Sequence, residues 1–468
     1  MRISLCFTLM LLLPAMGGGA AERPNMLFIL ADDLGSYDVG WRGSDIKTPN
    51  LDKLALGGAR LDQFYVQPVC SPTRAALLTG RYPMRHGLQV GVVRPWAQHG
   101  LPLEERTLPQ ALGEAGYTTG IFGKWHLGHF APEYLPTRRG FDRQYGHYNG
   151  ALDYFEHTRD GGFDWHRHDK VCRDEGYSTF LVADEAAKFI REHDGRKPFF
   201  AYVPFNAVHA PLQVPESFKK PYSGIAGNRR TYAAMTTAMD EAIGRIVAAV
   251  EARGWRTNTL IVFSSDNGGP NPGRLTSNGP LRAGKGTIYE GGVKTCAFAY
   301  WPGRVPSNSV VNAPLHIADW YPTLLKLGGA TLAQKLPVDG RDAWPAITAG
   351  AASPHDAILI NATPNKGALR AGDWKLVVNG GAAEAADGDE ETDSAVERKT
   401  PARAGANTVE LFNLAEDASE KLNLAQKHPE KVKELRARYE AYAKQQVAPK
   451  TSPRAKGFKS PRVWGEKD

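Results

Sequence analysis

Short apolar runs typical of buried β-strands alternate with amphipathic helical segments over residues 22 to about 350 of this 468-residue chain. The strand-like runs, each bounded by turn residues, cover residues 26–30, 118–122, 199–203 and 260–263. Helices are predicted over residues 48–58 and 228–253, where apolar residues recur at helical spacing. This alternation predicts an α/β fold with a largely parallel sheet, whose functional sites lie at the carboxyl ends of the strands.

The pattern changes after about residue 352, which predicts a catalytic domain over residues 22–352 and a smaller C-terminal subdomain over residues 353–448. Strand-like runs at 358–360, 374–377 and 409–412 predict an antiparallel sheet in this subdomain, and a helix is predicted from Pro429. Residues 379–407 are rich in Ala, Gly, Glu and Asp, which predicts a mobile loop. The basic tail, residues 449–468, is interpreted as a solvated arm packed loosely on the body, with a role in holding acidic polymers as the alternative.

The first 21 residues have the features of an export signal peptide. Arg2 precedes the apolar stretch at 3–16, and the small-residue run at 17–21 follows it. The apolar stretch is shorter than the roughly 20 residues that a membrane helix requires, so a signal peptide is favoured over a membrane anchor. We therefore expect an extracytoplasmic protein, periplasmic or secreted, with no membrane span.

The charge distribution and the cysteine content argue against a nucleic-acid-binding protein and against a disulfide-stabilised one. The 57 basic and 50 acidic residues give a net charge of +7, spread over the chain; this favours anionic partners in general without marking a nucleic-acid groove. Of the four cysteines, Cys6 lies in the predicted signal, and the other three are too few for a disulfide framework. At most Cys172 and Cys296 pair, which leaves Cys70 to be explained.

Oxygen-bearing side chains follow two of the predicted strands directly. Asp32 and Asp33 come after the first, and Asp266 and Asn267 follow the last, ahead of Gly268. Three carboxylates and one amide oxygen, without Cys or His, suit a hard cation such as Ca²⁺ or Mg²⁺ rather than zinc. Helix capping and turn formation by Asp and Asn is the alternative explanation.

The segment at 68–81 places a cysteine beside a predicted helix start. Ser71 is a good N-cap, Pro72 a good first helical residue and Gly80 a good terminator. Cys70 is thus expected just ahead of a helix N-terminus, where anions are attracted, and Arg74 can reach the same pocket. A buried structural cysteine and a thiolate nucleophile of low pKa are the alternatives at this stage.

The pattern Cys-x-Pro-x-Arg at 70–74, followed by Thr-Gly-Arg at 79–81, resembles the signature of type I sulfatases, in which this cysteine is oxidised to formylglycine. Further resemblances to that family occur in order along the chain, at 28–35, 123–128, 208–211, 266–269, 284–286, 291–292 and 372–376. Segments 67–68, 81–83 and 135–142 are most similar to the arylsulfatase B branch, N-acetylgalactosamine-4-sulfatase.

The resemblance implies an alkaline-phosphatase-like fold and an exported, Ca²⁺-dependent sulfuric ester hydrolase, with Mg²⁺ as the less favoured ion. It also implies maturation by a formylglycine-generating enzyme. The metal ligands that it implies are Asp32, Asp33, Asp266, Asn267 and the modified Cys70. The hydrated aldehyde at position 70 would attack sulfur, and Arg74 would favour its ionised form.

The resemblance also assigns the remaining catalytic roles. Lys124 and Lys285 would bind the sulfate oxygens. His209 would be the general acid for the sugar leaving group, worth about 10²–10⁴ in rate. His126 would take the proton from the second hydroxyl of the hydrate, so that the sulfated diol collapses to aldehyde and free sulfate. The expected substrate is a sulfated carbohydrate, of the galactose or N-acetylgalactosamine 4-sulfate type.

Two other functions remain open from the sequence. A phosphodiesterase or phosphonate hydrolase could use the same fold and nucleophile, and a polysaccharide-binding protein could lack the aldehyde altogether. The chain also departs from the family pattern. Animal arylsulfatase B proteins are disulfide-rich, whereas this chain has few cysteines, and it has Ala151 where related enzymes often place a sulfate-contacting serine. Asp153, His147 and Arg138 are candidate sugar contacts. His86, His129 and His316 are interpreted as structural or substrate-proximal.

Overall fold

The computed structural model describes residues 23–363, 365–380 and 408–466. The predicted export signal and nearly all of the predicted loop at 379–407 lie outside the described residues. The strands, in chain order, are β1 Asn25–Ala31, β2 Ala59–Leu61, β3 Phe64–Tyr65, β4 Thr118–Lys124, β5 Arg143–His147, β6 Thr158–Arg159, β7 Gly162–Phe163, β8 His166–Arg167, β9 Lys170–Val171, β10 Phe199–Pro204, β11 Thr259–Ser265, β12 Lys294–Thr295, β13 Ala297–Tyr300, β14 Ser309–Val311, β15 Leu315–His316, β16 Ile358–Thr363, β17 Lys366–Ala371, β18 Trp374–Val378 and β19 Val409–Asn413.

The α-helices, in chain order, are α1 Pro49–Gly57, α2 Cys70–Thr79, α3 Leu108–Glu114, α4 Ser178–Glu192, α5 Gly227–Ala252, α6 Glu290–Val293, α7 Trp320–Leu327, α8 Trp344–Ala349 and α9 Pro429–Ala443. Short 3₁₀ helices lie at Gly40–Arg42, Pro83–Arg85, Pro132–Tyr134, Pro136–Arg139, Glu216–Tyr222, Arg256–Asn258 and Ile317–Asp319.

A large mixed sheet forms the centre of the molecule. Its strand order is β14-β2-β13-β11-β1-β10-β4-β5-β8-β9. The five strands from β11 to β5 are mutually parallel. At the two ends of this parallel part, β13 pairs antiparallel with β11, β8 with β5 and β9 with β8. The four strands expected from the sequence are all in the parallel part, so the predicted α/β fold with a mostly parallel sheet is confirmed.

Both faces of this sheet are covered, as parallel sheets require. Along β1, Met26, Phe28 and Leu30 face one core cluster, which includes residues of α2 and α7. Leu27 and Ile29 face the other cluster, which is built on α4 and α5. Successive strand residues point to opposite faces, and β1 is buried along its whole length. This explains why β1 reads as a continuous apolar run rather than an alternating one.

A second sheet, of order β16-β17-β18-β19, is antiparallel throughout and packs against α9 through Leu435 and Tyr439. Strand β17 was not predicted, since Lys366, Gly367 and Arg370 interrupt its apolar pattern. The buried Lys375 ammonium of β18 lies 2.9 Å from Glu290 and 2.8 Å from Glu420, which ties this sheet to the catalytic body. The domain boundary at residue 352 stays a prediction.

The basic tail packs more closely than the expected loose arm. Trp464 is 3% exposed, and its indole Nε1 donates a hydrogen bond of 2.8 Å to the carbonyl oxygen of Arg159. Burying a large aromatic ring stabilises a segment that its charges alone would leave solvated. The burial of Trp464 therefore holds the tail against the body. The expectation of a loose arm was based only on the basic composition of the tail.

The described cysteines are all free thiols. Cys70 and Cys296 are buried and Cys172 is half-buried, so the possible Cys172–Cys296 disulfide is not formed. In the part of the chain that the structure describes, no helix is both long and apolar enough to span a bilayer.

Candidate active site

Two neighbouring strand ends bring the predicted carboxylates together. β1 pairs in parallel with β11, and the Asp266 amide donates to the Ala31 carbonyl oxygen at 3.0 Å. Asp32, Asp33 and Asp266 are all buried, as is Asn267. Asn267 Nδ2 donates to Asp33 Oδ1 at 2.7 Å, and the Asp33 amide lies 3.3 Å from Asp266 Oδ1. The carboxyl ends of parallel strands thus place four oxygen-bearing side chains at one point.

Cys70 lies against these oxygens. Its Sγ is 3.4 Å from Asp32 Oδ1 and 3.5 Å from Asn267 Oδ1. Burial, together with the charges of Asp266 and Asp32, raises the pKa of the Cys70 thiol well above its ordinary value. The surroundings therefore disfavour the thiolate that a cysteine nucleophile needs, which argues against that alternative.

The helix carrying Cys70 begins two residues earlier than predicted. Cys70 is itself the first residue of α2, and Val69 rather than Ser71 occupies the N-cap position. The Ser71 hydroxyl instead donates to the His126 carbonyl oxygen at 2.9 Å and accepts from the Val93 amide at 3.0 Å. The Ser71 side chain, which was expected to cap the helix, therefore makes tertiary hydrogen bonds instead. Gly80 ends the helix as predicted, with φ of 68°.

Arg74 and Lys124 balance the carboxylates from inside the protein. Arg74 Nη2 lies 2.8 Å from Asp266 Oδ2 and 3.3 Å from Asp32 Oδ2, and its Nη1 donates to the Lys124 carbonyl oxygen at 3.1 Å. The Lys124 ammonium, at the end of β4, forms an ion pair with Asp32. Both cationic side chains are fully buried. Buried charges of this kind persist only when paired.

Lys285 reaches the site from the loop after β11. Its Nζ lies 2.9 Å from Asp33 Oδ2, and the side chain keeps 19% exposure. Lys285 is therefore the most open of the three cations around the carboxylates. This position lets it meet a ligand that enters from solvent.

The cations shift the acidity of the carboxyls. Burial alone would raise the pKa of Asp32, but Lys124, His209 and Arg74 outweigh it, and the pKa lies well below its ordinary value. For Asp266, burial and the neighbouring charge of Asp32 raise the pKa above its usual range despite Arg74. The neighbouring cations therefore favour the ionised form of the Asp32 carboxyl.

His126 is fixed by its backbone as much as by its ring. Its amide donates to the Tyr148 carbonyl oxygen at 3.0 Å, and its φ is 58°. Its ring Nε2 lies 3.1 Å from the Val93 carbonyl oxygen. Gly150 packs so closely on this ring that a Cβ there would be 2.4 Å from it. Glycine is thus required next to this imidazole.

His209 approaches Asp33 from the loop after β10, with its Nε2 3.7 Å from Asp33 Oδ2. Its Nδ1 lies 2.6 Å from the Ala210 carbonyl oxygen. The buried hydroxyl of Tyr154 lies 2.7 and 2.8 Å from the carbonyl oxygens of Asn206 and His209, which share its one proton. This hydroxyl therefore holds the loop at both ends of its turn.

Tyr154 and Gly150 are functional positions that the sequence reasoning missed. Neither carries a catalytic group, and each acts on a histidine distant from it in sequence. Within residues 150–154, the sequence analysis named only Ala151 and Asp153. The proximity of Gly150 and Tyr154 to those two residues was the one signal in the sequence that could have pointed to them.

The six other candidates lie outside the centre. His86 and His316 are buried, and burial lowers the pKa of each to about 3. The His316 ring accepts from the Ala318 amide as a helix cap, and the buried His129 ring stacks on Tyr148. Their interpretation as structural or substrate-proximal residues stays a prediction. Of the suggested sugar contacts, Arg138 is exposed, Asp153 accepts from backbone amides of its own turn, and His147 is fully buried behind the site.

The donor set fits a hard divalent cation. One ligand atom from each of Asp32, Asp33, Asp266 and Cys70 lies within 4.8 Å of the others, and all four residues are buried. Three carboxylates so close together repel one another unless cations share the site. Carboxylate and amide oxygens are the ligands that Ca²⁺ and Mg²⁺ prefer. With the thiol replaced by an oxygen group at position 70, the whole set would be hard donors.

Fold and site together define an α/β enzyme with a buried acidic centre at the carboxyl edge of its sheet. Known proteins match its sequence and its fold. The sulfatase family model matches residues 24–330. Arylsulfatase J of Mus musculus is 37% identical over 492 residues, covering 97% of this chain and 81% of that protein. N-acetylgalactosamine-6-sulfatase of Canis lupus familiaris is 35% identical over 372 residues, covering 73% of this chain and 70% of that protein.

Among solved structures, that of Ps i-CgsB in complex with k-i-k-neocarrahexaose superposes with a TM-score of 0.81 at 31% identity, covering 92% of this chain and 94% of the other. The chain belongs to the sulfatase family, and it is a sulfatase enzyme with the alkaline-phosphatase-like fold. The expected family and fold are confirmed. Its assignment to the arylsulfatase B branch stays a prediction.

Proposed function

We propose that this sulfatase is exported and removes sulfate from a sulfated carbohydrate of the galactose or N-acetylgalactosamine 4-sulfate type, using formylglycine at position 70 and a bound Ca²⁺. The observation that carries the proposal is the position of Cys70, whose sulfur contacts Asp32 and Asn267 at 3.4 and 3.5 Å. A thiol buried against carboxylates is a poor nucleophile. An aldehyde hydrate at the same place would present hydroxyl groups to the metal ligands.

The charge of the site supports an anionic substrate. Three carboxylates, Asp32, Asp33 and Asp266, face three cations, Arg74, Lys124 and Lys285. These charges cancel, so a bound divalent cation would leave an excess of two positive charges in a buried pocket. A sulfate monoester carries one negative charge and is attracted to such a pocket. The cation, when bound, polarises a sulfate oxygen and favours ionisation of the nucleophile.

The chain's own residues orient and stabilise the sulfate. Lys285 Nζ, 19% exposed and 2.9 Å from Asp33, can turn to a sulfate oxygen that enters from solvent. Lys124 is fully buried and paired with Asp32, so it would act on the sulfate from the protein interior. Fixed cations aimed at developing negative charge cost no reorganisation during the reaction, and removing one such donor costs about 10²–10³ in rate.

Two histidines move the protons. His209 lies near Asp33 on a loop held by the Tyr154 hydroxyl, where it can donate a proton to the sugar oxygen as the S–O bond breaks. His126, fixed by its backbone between Tyr148 and Ser71, can accept a proton from the hydrate at position 70. This proton removal would let the aldehyde re-form and release sulfate.

The relatives' names support a carbohydrate substrate. One is an N-acetylgalactosamine-6-sulfatase, and one solved structure holds k-i-k-neocarrahexaose. The first name supports the sugar that we propose but not the position of its sulfate. No observation favours a phosphodiesterase, a phosphonate hydrolase or a binding protein without the aldehyde over this proposal.

The test is sulfate release from chondroitin, dermatan and carrageenan oligosaccharides by protein co-expressed with a formylglycine-generating enzyme. We expect release from at least one galactose-type substrate, and faster turnover of a sulfated than of a phosphorylated aryl ester. Release from none of the oligosaccharides, with an active aryl ester reaction, would contradict the sugar assignment. Preferential turnover of the phosphorylated ester would contradict the sulfate assignment.

The matched variants are Cys70→Ala and Cys172→Ala. Both remove a free thiol, but Cys172 is half-buried and lies outside the metal cluster. We expect loss of turnover in the first and wild-type turnover in the second. Mass spectrometry of the peptide containing residue 70 should find formylglycine in active protein, and an unmodified thiol in fully active protein would refute the proposal.

A further inference from the structure

The tail beyond α9 crosses the catalytic domain as a defined strap, residues 447–466. At its start, the Val447 amide donates to the Met84 carbonyl oxygen at 2.9 Å, and the Lys450 amide donates to that of Gly87 at 2.7 Å. Further along, the Trp96 indole Nε1 donates to a strap carbonyl oxygen, that of Ser452, at 2.7 Å. The first half of the strap is therefore attached along the segment that follows α2.

The far end of the strap is attached as firmly. Phe163 and the strap exchange two backbone hydrogen bonds of 2.9 Å, one with the Arg462 carbonyl oxygen and one with the Trp464 amide. The buried Trp464 ring lies edge-on to His129, with ring centroids 5.5 Å apart. Since both ends are attached, the residues between them hold a fixed course over the domain.

This course borders the candidate active site. Trp96 is three residues from Val93, whose carbonyl oxygen lies 3.1 Å from His126 Nε2, and three residues span at most about 11 Å. Tyr148, whose carbonyl oxygen accepts from the His126 amide, meets the strap at Gly465, where a Cβ would be 2.6 Å from the Tyr148 ring. The strap thus packs on the two segments that position His126.

The strap exposes a row of positive charges. Its cationic side chains, all exposed, are Lys450, Arg454, Lys456, Lys459 and Arg462. Arg454 lies over the ring of Trp96, 5.3 Å from its centroid, and over that of Phe458 at 5.7 Å. The two rings therefore hold Arg454 in place. The single carboxylate of the described strap is Glu466.

We propose that this strap binds the chain of a sulfated polysaccharide next to the sugar being hydrolysed. The inference rests on the proposed function, and it adds a second binding region that recognises sulfates that do not react. A polymer with repeated sulfate groups presents negative charge at intervals, which a row of exposed cations can meet in sequence. Charge of one sign near a cleft raises the local concentration of an oppositely charged substrate and its association rate by about 10–10³-fold.

The test compares two variants that each lose four positive charges. The strap variant, K450Q/K456Q/K459Q/R462Q, keeps Arg454 because that side chain packs on aromatic rings. The control variant, K188Q/R191Q/R196Q/K197Q, changes exposed residues before β10, at the opposite edge of the sheet from the site. Both have the same net charge, so a difference between them reports where the charges lie.

Binding is measured with fluorescein-labelled chondroitin 4-sulfate by anisotropy, at about 0.05 M and about 0.5 M salt. Desulfated chondroitin of the same length is the second probe. We expect the strap variant to bind the sulfated chain at least about ten-fold more weakly at low salt. We also expect that difference to vanish at high salt, and the control variant to bind like the wild type. Equal effects of the two variants, or equal binding of the desulfated chain, would overturn the proposal.

Catalysis gives an independent measurement. For matured enzyme, kcat/KM on the polymer should fall at least about ten-fold more than kcat/KM on a small aryl sulfate, because the small ester carries no further sulfates for the strap to bind. Equal losses on the two substrates would overturn the proposal. If the wild type hydrolysed no sulfate ester, the proposed function would fail, while the binding comparison would still decide the role of the strap.

Discussion

Gly150→Ala is expected to reduce turnover about 100-fold although it replaces no catalytic side chain. A Cβ at residue 150 would lie 2.4 Å from Cε1 and 2.5 Å from Nε2 of His126, where ordinary contact begins at 3.4 Å. The imidazole must therefore move by about 1 Å, and a misplacement of that size costs about 10²-fold in rate.

The surroundings of His126 prevent an easy adjustment. Its amide is bound to the Tyr148 carbonyl oxygen, its carbonyl oxygen accepts from Ser71, and its ring nitrogen meets the Val93 carbonyl oxygen. A ring displaced by the new Cβ disturbs the last of these contacts, while the backbone stays fixed. We therefore expect the loss mainly in kcat.

Steady-state turnover of an aryl sulfate measures the effect, and Gly113→Ala is the control. Gly113 lies in α3 with nothing within 4 Å of an added Cβ, so that variant should keep wild-type turnover. Thermal unfolding of both variants checks that the fold is intact. Turnover by folded G150A within a few-fold of wild type would refute the reasoning about His126.

Three further outcomes are expected. Lys285→Met should lower kcat/KM by about 10²–10³-fold, because the most open cation at the carboxylates is lost. Acidification should destabilise the fold, since burial lowers the pKa of His86 and of His316 to about 3, against about 6.5 when unfolded. As the pH falls below about 6.5, these imidazoles bind protons in the unfolded state but not in the folded one. The free energy of unfolding should therefore drop by about 2 kcal/mol per imidazole at pH 5. Urea denaturation measures this drop. Lys375→Met should lower the free energy of unfolding by about 3–5 kcal/mol, because it leaves two buried carboxylates without their partner.

Each of these has its own check. Lys53→Met removes a 68% exposed lysine far from the site, and a loss of activity equal to that of Lys285→Met would contradict the specific role of Lys285. For the pH effect, His316→Asn should flatten the decline between pH 7 and 5, and an unchanged slope would show that this imidazole is not its source. An unchanged urea midpoint in Lys375→Met would contradict the structural role of that ion pair.

The sequence by itself determined the class of fold and predicted most of the residues that the structure brings together at the candidate site. Asp32, Asp33, Asp266 and Asn267 could be found because they directly follow apolar runs, and parallel strands deliver their carboxyl ends to one edge. The Cys70 segment could be found because its helix signals and its spacing to Arg74 are local. Such information lies within a few neighbouring residues, so it can be recognised without knowledge of the tertiary structure.

The tertiary structure decided how distant segments meet. The Ser71 hydroxyl bonds to the His126 backbone rather than capping its own helix, and Gly150 touches the imidazole of a residue 24 positions away. The strap lies beside the site because backbone hydrogen bonds attach its two ends and the buried ring of Trp464 anchors the far one, against a composition that suggested a solvated arm. Local periodicity and turn chemistry encode elements, whereas close packing between elements depends on side-chain shapes that no local pattern records.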